Sequence, residues 1–331
     1  MRQDRRLFLS AAAMAALTLA AGAGATMAMA AAYPSKTVTL VVAYPPGGDT
    51  DSMARLYADK LSARLKEPVI VENRPGAAGV VGTTYVGRAA PDGYTLLFTP
   101  NPFTTAPMVL KLAPSSSYDP LHGFTPVIQT GVQAVLLVAN PHAGVKSVKE
   151  MIAAAKAGKS FSYASPGAGS PMHIAGELLN RAAGVKIMHV PYKGVAPAVN
   201  DVVAGHVDFA YVTLGPVAQY INTGRLIALA TTDAQRSPLL PNVPTLAELG
   251  YKEAVVGAWH GVMAPKGTPP EVVSLLNAQL NEIVKMPEVA DKMATFGAQP
   301  VGGSPAVLER VNASDYERLG KVIRDMGITA E

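Results

Sequence analysis

The sequence predicts an α/β protein made of two strand–helix series. Three observations carry this. Short apolar runs rich in Val, Ile and Leu alternate with segments whose apolar residues recur every three or four positions. The runs end in Pro- and Gly-bearing turns that feed helices. The alternation breaks near residues 127–132 and again near 255–259, which predicts two lobes joined by two crossings.

The first thirty residues read as a signal rather than as fold. Arg5 and Arg6 open a positive region, an Ala-rich apolar stretch follows, and Ala28, Met29 and Ala30 fit a small-x-small cleavage site. Asp4 to Leu9 has the look of a twin-arginine variant, so export to the periplasm through a cleavable signal is expected; an uncleaved anchor is the alternative. No later apolar run is long enough to span a bilayer. The division expected is 1–30 signal, 31–130 with 258–331 as a discontinuous first lobe, and 131–257 as the second.

In the first series, the strand at Val38, Thr39, Leu40, Val41 and Val42 runs into Tyr44, Pro45, Pro46, Gly47, Gly48, Asp49, Thr50 and Asp51. Met53, Leu56, Tyr57, Leu61 and Leu65 then recur at helical spacing. The loop therefore joins the carboxyl end of a strand to the amino end of a helix. Unpaired N–H groups and a partial positive charge there suit a carboxylate or phosphate. An ordinary turn with Asp51 as N-cap is the plainer alternative. A second strand at 68–71 leads through Gly76, Ala77, Ala78 and Gly79 into another helix. A third, at 94–98, ends at Pro100, Asn101 and Pro102. Such repeated units argue a parallel sheet, with ligands beyond its carboxyl ends.

Residues 114–126 read as loop. The second series has strands at 134–138, 161–163, 187–190, 207–212 and 226–230 and a helix at 148–157. After 161–163 come Ser165, Gly167, Gly169 and Ser170. Ser170 before Pro171 is a good N-cap for a helix over 172–183. A strand over 259–264 and helices over 270–284, 288–295 and 305–326 close the chain.

Composition excludes several classes. There is no cysteine, hence no disulfide or thiolate chemistry. The net charge of +4 comes partly from the leader, and Lys and Arg form no basic run, so no nucleic-acid partner is expected. No G-x-S-x-G elbow, H-E-x-x-H motif or Walker loop occurs, and the six His are dispersed. No catalytic residue, metal or cofactor is expected. His173 and His260 read as structural or ligand-lining, with a hydrolase or isomerase base as the alternative.

The residues then match a known family. Tyr44 to Gly48 with Asp51, Ala54 and Arg55, the run from Glu72 to Gly76, Ala90 to Leu96, Tyr163 to Ser170 with His173, Val190 to Gly194, Gly205 to Asp208 and Ala264 with Pro265 stand in family order. The chain resembles the periplasmic solute-binding proteins of tripartite tricarboxylate transporters, the Bug receptors. That resemblance implies a two-lobed Venus-flytrap of the type II periplasmic binding protein class. It implies a monomer that closes on an organic carboxylate, a di-, tri- or aromatic carboxylate, and hands it to membrane permease subunits. Tyr44, the turn at Pro46, Gly47, Gly48, Asp49 and Asp51, and the turn at Gly76, Ala77, Ala78 and Gly79 hold one carboxylate in this reading. Asn101, Ser165, Gly167, Gly169, Ser170, His173, Tyr211, Val212, Thr213 and His260 complete the expected site. Two departures are expected to matter. Asp49 adds negative charge beside an anion cradle, and Val212 replaces an acid common in amino-acid-binding members, which speaks against an amino-acid ligand. His260 could donate to a second carboxylate. A sensory receptor for a signalling partner remains the competing reading.

Overall fold

The computed structural model of the protein describes residues 33–113 and 117–329. The signal, its cleavage site and the anchor alternative lie outside the described residues, as do Pro114, Ser115 and Ser116 of the expected loop.

Two sheets organise the chain from residue 36 onward. In the first, β1 (Val38–Val42) lies parallel to β2 (Val69–Asn73) and β3 (Thr95–Pro100). These strands are rich in Val and Leu because helices cover the sheet on both faces, and β1 is buried almost throughout. β4 (Phe124–Gln133), β10 (Ala258–Pro265) and β11 (Ala298–Pro300) complete the order β11-β4-β10-β3-β1-β2. The second sheet has the order β7-β6-β8-β5-β9, from β5 (Val135–Ala139), β6 (Ser162–Ser165), β7 (Met188–Pro191), β8 (Phe209–Thr213) and β9 (Ile227–Thr231).

Neither sheet is purely parallel, which corrects the expectation from strand–helix alternation. β10 pairs antiparallel with β3 and β4, and β5 pairs antiparallel with β8 and β9. The reason is the crossings. β4 leaves the first sheet and continues through Ala134 into β5, while β10 brings the chain back. The outward crossing thus lies at 133–135, not inside 127–132, because β4 is one ten-residue strand with β10 on one side and β11 on the other.

α1 (Asp49–Leu65) follows β1. It buries Met53, Ala54, Tyr57, Ala58 and Leu61, one apolar stripe at helical spacing, and the Tyr57 hydroxyl donates to the Thr130 carbonyl at 3.0 Å. α2 (Val80–Gly87) follows β2 after a short 3-10 turn (Ala77–Gly79), and α3 (Pro102–Val109) follows β3. In the second lobe α4 (Val148–Lys156), α5 (Pro171–Ala183), α6 (Val195–Ala204) and α7 (Leu214–Asn222) follow β5, β6, β7 and β8. α8 (Pro270–Val284), α9 (Pro287–Ala294) and α10 (Pro305–Met326) close the fold.

α10 does not belong wholly to the first lobe. Leu308 packs with Val41, Phe103 and Trp259, whereas Leu319 and Ile323 join the second lobe's core beside Leu137, Leu178 and Phe209. The helix is long enough, at 22 residues and hence roughly 33 Å, to grip both lobes. Val109 at the end of α3 also enters that second core.

Candidate functional site

Two adjoining cavities lie where the carboxyl ends of the parallel strands of both sheets meet. The first, about 580 Å³, is walled by residues 44–51, 100–102, 193–197, Gln133, Pro171, Met172, Thr213, Pro216, Ala258 and His260. The second, about 490 Å³, is walled by 75–79, Thr105, Ala106, Val109, Leu110 and 166–170. Tyr44, Pro45, Pro102, Lys193 and Gly194 border both, so the two form one cleft with a waist.

Four helices open into this cleft without a side-chain cap. α1 begins after Gly48, α2 after Gly79, α6 after Gly194 and α7 after Thr213. Their first N–H groups have no partner within the helix, although in α2 those of Val80 and Val81 donate to the Ala77 and Gly76 carbonyls of the turn before it, and each end carries partial positive charge. α5 differs: the Ser170 hydroxyl accepts from the His173 N–H at 3.2 Å and donates to the Gly167 carbonyl at 2.7 Å.

The turn before α2 is unusual backbone. Gly76, Ala77, Ala78 and Gly79 all have positive φ, at 141°, 45°, 52° and 97°. Each alanine held there costs about 1 kcal/mol or more, strain of the kind ligand clamps store. Tyr44 supports the turn from below. Its hydroxyl donates to the Ala78 carbonyl at 3.3 Å, and a Cβ on Gly79 would meet that hydroxyl at 2.9 Å. Burial pushes the Tyr44 hydroxyl upward, so it stays a neutral donor.

The acids of the first loop have separate tasks. Asp51 is not the N-cap; it is the third residue of α1, and Gly48 is the cap. Its carboxylate reaches back to accept from the Gly47 N–H at 2.9 Å and the Asn73 amide at 2.8 Å. It also pairs in two-pronged fashion with Arg55 at 3.0 Å. These donors hold its carboxyl below the usual range despite burial. Asp49 instead reaches across the cleft. Its Oδ2 accepts from the Gln133 amide at 2.9 Å and from the Thr213 hydroxyl of the other lobe at 3.0 Å. Burial raises its carboxyl, and those two bonds oppose the rise.

Of the residues expected from sequence, Tyr44, Pro46, Gly47, Gly48, Asp49, Asp51, Asn101, Thr213 and His260 line the first cavity. Gly76, Ala77, Ala78, Gly79, Gly167, Gly169 and Ser170 line the second. The Asn101 amide is spent on the Gly257 carbonyl at 2.9 Å, at the returning crossing. His260 is 3% exposed, stacks on Phe98 with ring centres 5.9 Å apart, and keeps Nδ1 without a hydrogen-bond partner. Burial lowers its pKa to about 4, so it is neutral at pH 7.

Four expected residues do not line either cavity. Tyr211 and Val212 sit within β8, where alternation sends Tyr211 into one core of the second lobe and Val212 into the other; only Thr213 at the strand end reaches the cleft. His173 lies beneath its loop. Its Nδ1 accepts from the Gly169 N–H at 3.0 Å, and its ring stacks on His189 at 3.8 Å. Burial and His189 lower its pKa to about 3. That bond places the ring proton on Nε2, so His173 holds the loop and is not an open base. Ser165 is also buried, its hydroxyl within 2.7 Å of His189 Nε2.

The structure adds residues the sequence reading left out. Gln133 enters at the end of β4, and Thr105 of α3 donates across the lobes to the Gly169 carbonyl at 3.1 Å. Lys193 is the one lysine or arginine among the described residues walling the two cavities, and no hydrogen bond or ion pair engages it. Its signal, the run from Val190 to Gly194, was in view without its charge being used.

"Protein BugT" of Bordetella pertussis is 39% identical over 298 residues, covering 89% of this chain and 90% of that protein. An R. palustris protein solved with adipate superposes with a TM-score of 0.81 at 34% identity, covering 90% of this chain and 99% of that one. MatC from Rhodopseudomonas palustris, solved with bound malate, gives 0.78 at 32% identity, covering 88% and 100%. Residues 53–328 match the family described as tripartite tricarboxylate transporter family receptor. The chain therefore belongs to the family of tripartite tricarboxylate transporter receptors, the two-lobed Bug-type solute-binding proteins.

Proposed function

We propose that the protein is a periplasmic receptor that binds an organic carboxylate between its lobes and delivers it to a tripartite tricarboxylate-type membrane transporter. The observation that carries this reading is the convergence of four uncapped helix amino ends on a cleft whose unpaired cation is Lys193. Backbone N–H groups are fixed donors, and water can extend them to carboxylates of different shape. Adipate and malate in the related structures are organic carboxylates of this kind.

The protein acts by binding, with no chemical step. A ligand touching 46–48 and 76–79 on one lobe and 166–170 with Gly194 on the other favours the closed arrangement through its differential affinity. Closure is a rotation about the two crossings at 133–135 and 255–258, with α10 flexing between its two anchor points. The Thr105 and Thr213 bonds across the lobes belong to the closed side of that equilibrium.

A thermal-shift screen of the mature chain against a carboxylate panel, adipate and malate included, tests the proposal. A ligand at 100 times its Kd stabilises the fold by about 2.7 kcal/mol, a rise of roughly 4 °C for a chain of this size. A panel in which no carboxylate shifts the transition would overturn it.

A further inference from the structure

The cleft is electrically polarised along its length. The second cavity is walled by no carboxylate; α2 opens toward it, and α6 opens at the waist, with Gly194 on both cavities and Val195, Ala196 and Pro197 on the first, and neither helix has an acid in its first turn. Lys193 stands at the waist. The first cavity is different. α1 carries Asp49 and Asp51 in its first turn, so its positive end is already matched by its own charges. Asp51 is consumed by Arg55, Asn73 and the Gly47 N–H. Asp49 is not. Both of its hydrogen bonds fall on Oδ2, and Oδ1 has no partner among the described residues. His260 faces the same cavity, 3% exposed, with Nδ1 buried and unpartnered. A buried imidazole nitrogen left without a bond is a standing penalty.

Resting on the receptor reading above, we propose that the first cavity recognises a hydrogen-bond donor. The ligand is then a carboxylate whose far end carries a hydroxyl or ammonium group, not a second carboxylate. The near carboxylate lies against 76–79 and Lys193. The far group donates to Asp49 Oδ1, with His260 beside it as a neutral partner able to accept or donate. Asp49 can only accept, and a second carboxylate brought beside it meets like charge in a water-poor space. A bond from neutral His260 is too weak to offset that repulsion. An ammonium group gains charge pairing as well, and a hydroxyl gains the hydrogen bond alone.

The test is calorimetric titration of the wild-type mature chain with four unbranched series of matched length. These are alkanedioates, ω-hydroxyalkanoates, ω-aminoalkanoates and plain alkanoates. At the best-fitting length, a donor-ended ligand is expected to bind about tenfold or more tighter than the dioate. Asp49→Asn keeps an acceptor for Thr213 while removing the charge, and it is expected to erase that preference. Lys193→Met is expected to weaken all four series alike. A dioate that binds wild type as tightly as its donor-ended counterpart overturns the inference and leaves the receptor reading standing; this arm needs no variant to fold. A donor preference that survives Asp49→Asn unchanged also overturns it. Failure of every series to bind overturns the receptor reading itself.

Discussion

Replacing Gly169 by Ala should act as a wedge between the lobes. Gly169 has φ of 73°, and a Cβ there would lie 2.4 Å from Val109 Cγ2 and 2.8 Å from both Val109 Cβ and Cγ1. Contacts between carbons are favourable near 3.5–4.0 Å, so about an ångström of overlap must be relieved. The left-handed backbone costs Ala about 1 kcal/mol, and overpacking adds about 1–3 kcal/mol, giving about 2–4 kcal/mol in all. Val109 belongs to α3 of the first lobe yet is buried in the second lobe's core, so the overlap falls where the lobes meet. The relief route is for the 166–170 loop to lift away. That breaks the Thr105 bond to the Gly169 carbonyl and weakens any ligand spanning the cleft. Val109→Ala alone removes two methyl groups and should cost about 1–3 kcal/mol. Together the two changes should cost less than their sum by about 1–3 kcal/mol, because the small residue makes room for the new methyl. Urea denaturation of the four proteins measures this cycle. Strict additivity, or a Gly169→Ala protein as stable as wild type, would refute the packing described between α3 and the 166–170 loop.

Two further outcomes follow from buried polar groups. The Trp259 indole N–H donates to Asp315 at 2.9 Å, and Arg318 joins Asp315 to the Val255 carbonyl, tying α10 to the returning crossing. Asp315→Ala strands a buried donor and should cost about 1–3 kcal/mol, read by urea midpoint, with a shift in the fluorescence of this single tryptophan. Acid should destabilise the fold through its neutral histidines. The native pKa values of His260 and His173 are lowered to about 4 and about 3, below the unfolded value near 6.5. Protons therefore bind the unfolded chain first, and stability falls as pH drops from about 6.5 toward 4. For His260 the loss is on the order of 3 kcal/mol. His260→Phe should flatten this part of the profile, and a profile unchanged by that substitution would contradict a buried neutral imidazole.

Much of this architecture was readable from the chain. Val38 to Val42 and the helices at 270–284 and 305–326 fell where periodicity put them, because their apolar residues face a core at the spacing their structure demands. β4 escaped the reading. Its Thr125, Pro126, Gln129, Thr130 and Gly131 carry no strand pattern, and the strand is held by pairing with β10 and β11 from far along the chain. α3 was hidden by Pro102 and Pro107, one at its start and one inside it. The cleft loops were readable because Pro, Gly and strand ends mark them locally. The partners of their side chains were not. Sequence cannot show that Asp49 would meet Gln133 and Thr213, 84 and 164 residues away, or that Asp51 would be absorbed by Arg55 and Asn73. For the same reason Tyr211 and Val212 were expected in the cleft together with Thr213, since the pleat decides which residue reaches the cleft and only the strand end is free of it.

The most direct test of the central claim, that an organic carboxylate is bound in this cleft between the lobes, is calorimetric titration of Gly48→Val. Gly48 has φ of −82° and ψ of 171°, a conformation open to any residue, and a Cβ there has no atom within 4 Å. Valine should therefore fold normally, losing about 1 kcal/mol as a poorer N-cap, while its methyl groups fill the part of the first cavity that the far end of the ligand enters. The account predicts saturable one-site binding of a carboxylate by wild type and its loss, by a hundredfold or about 2.7 kcal/mol, in a variant with native circular dichroism. A folded Gly48→Val protein that binds the same carboxylate with unchanged affinity would contradict it.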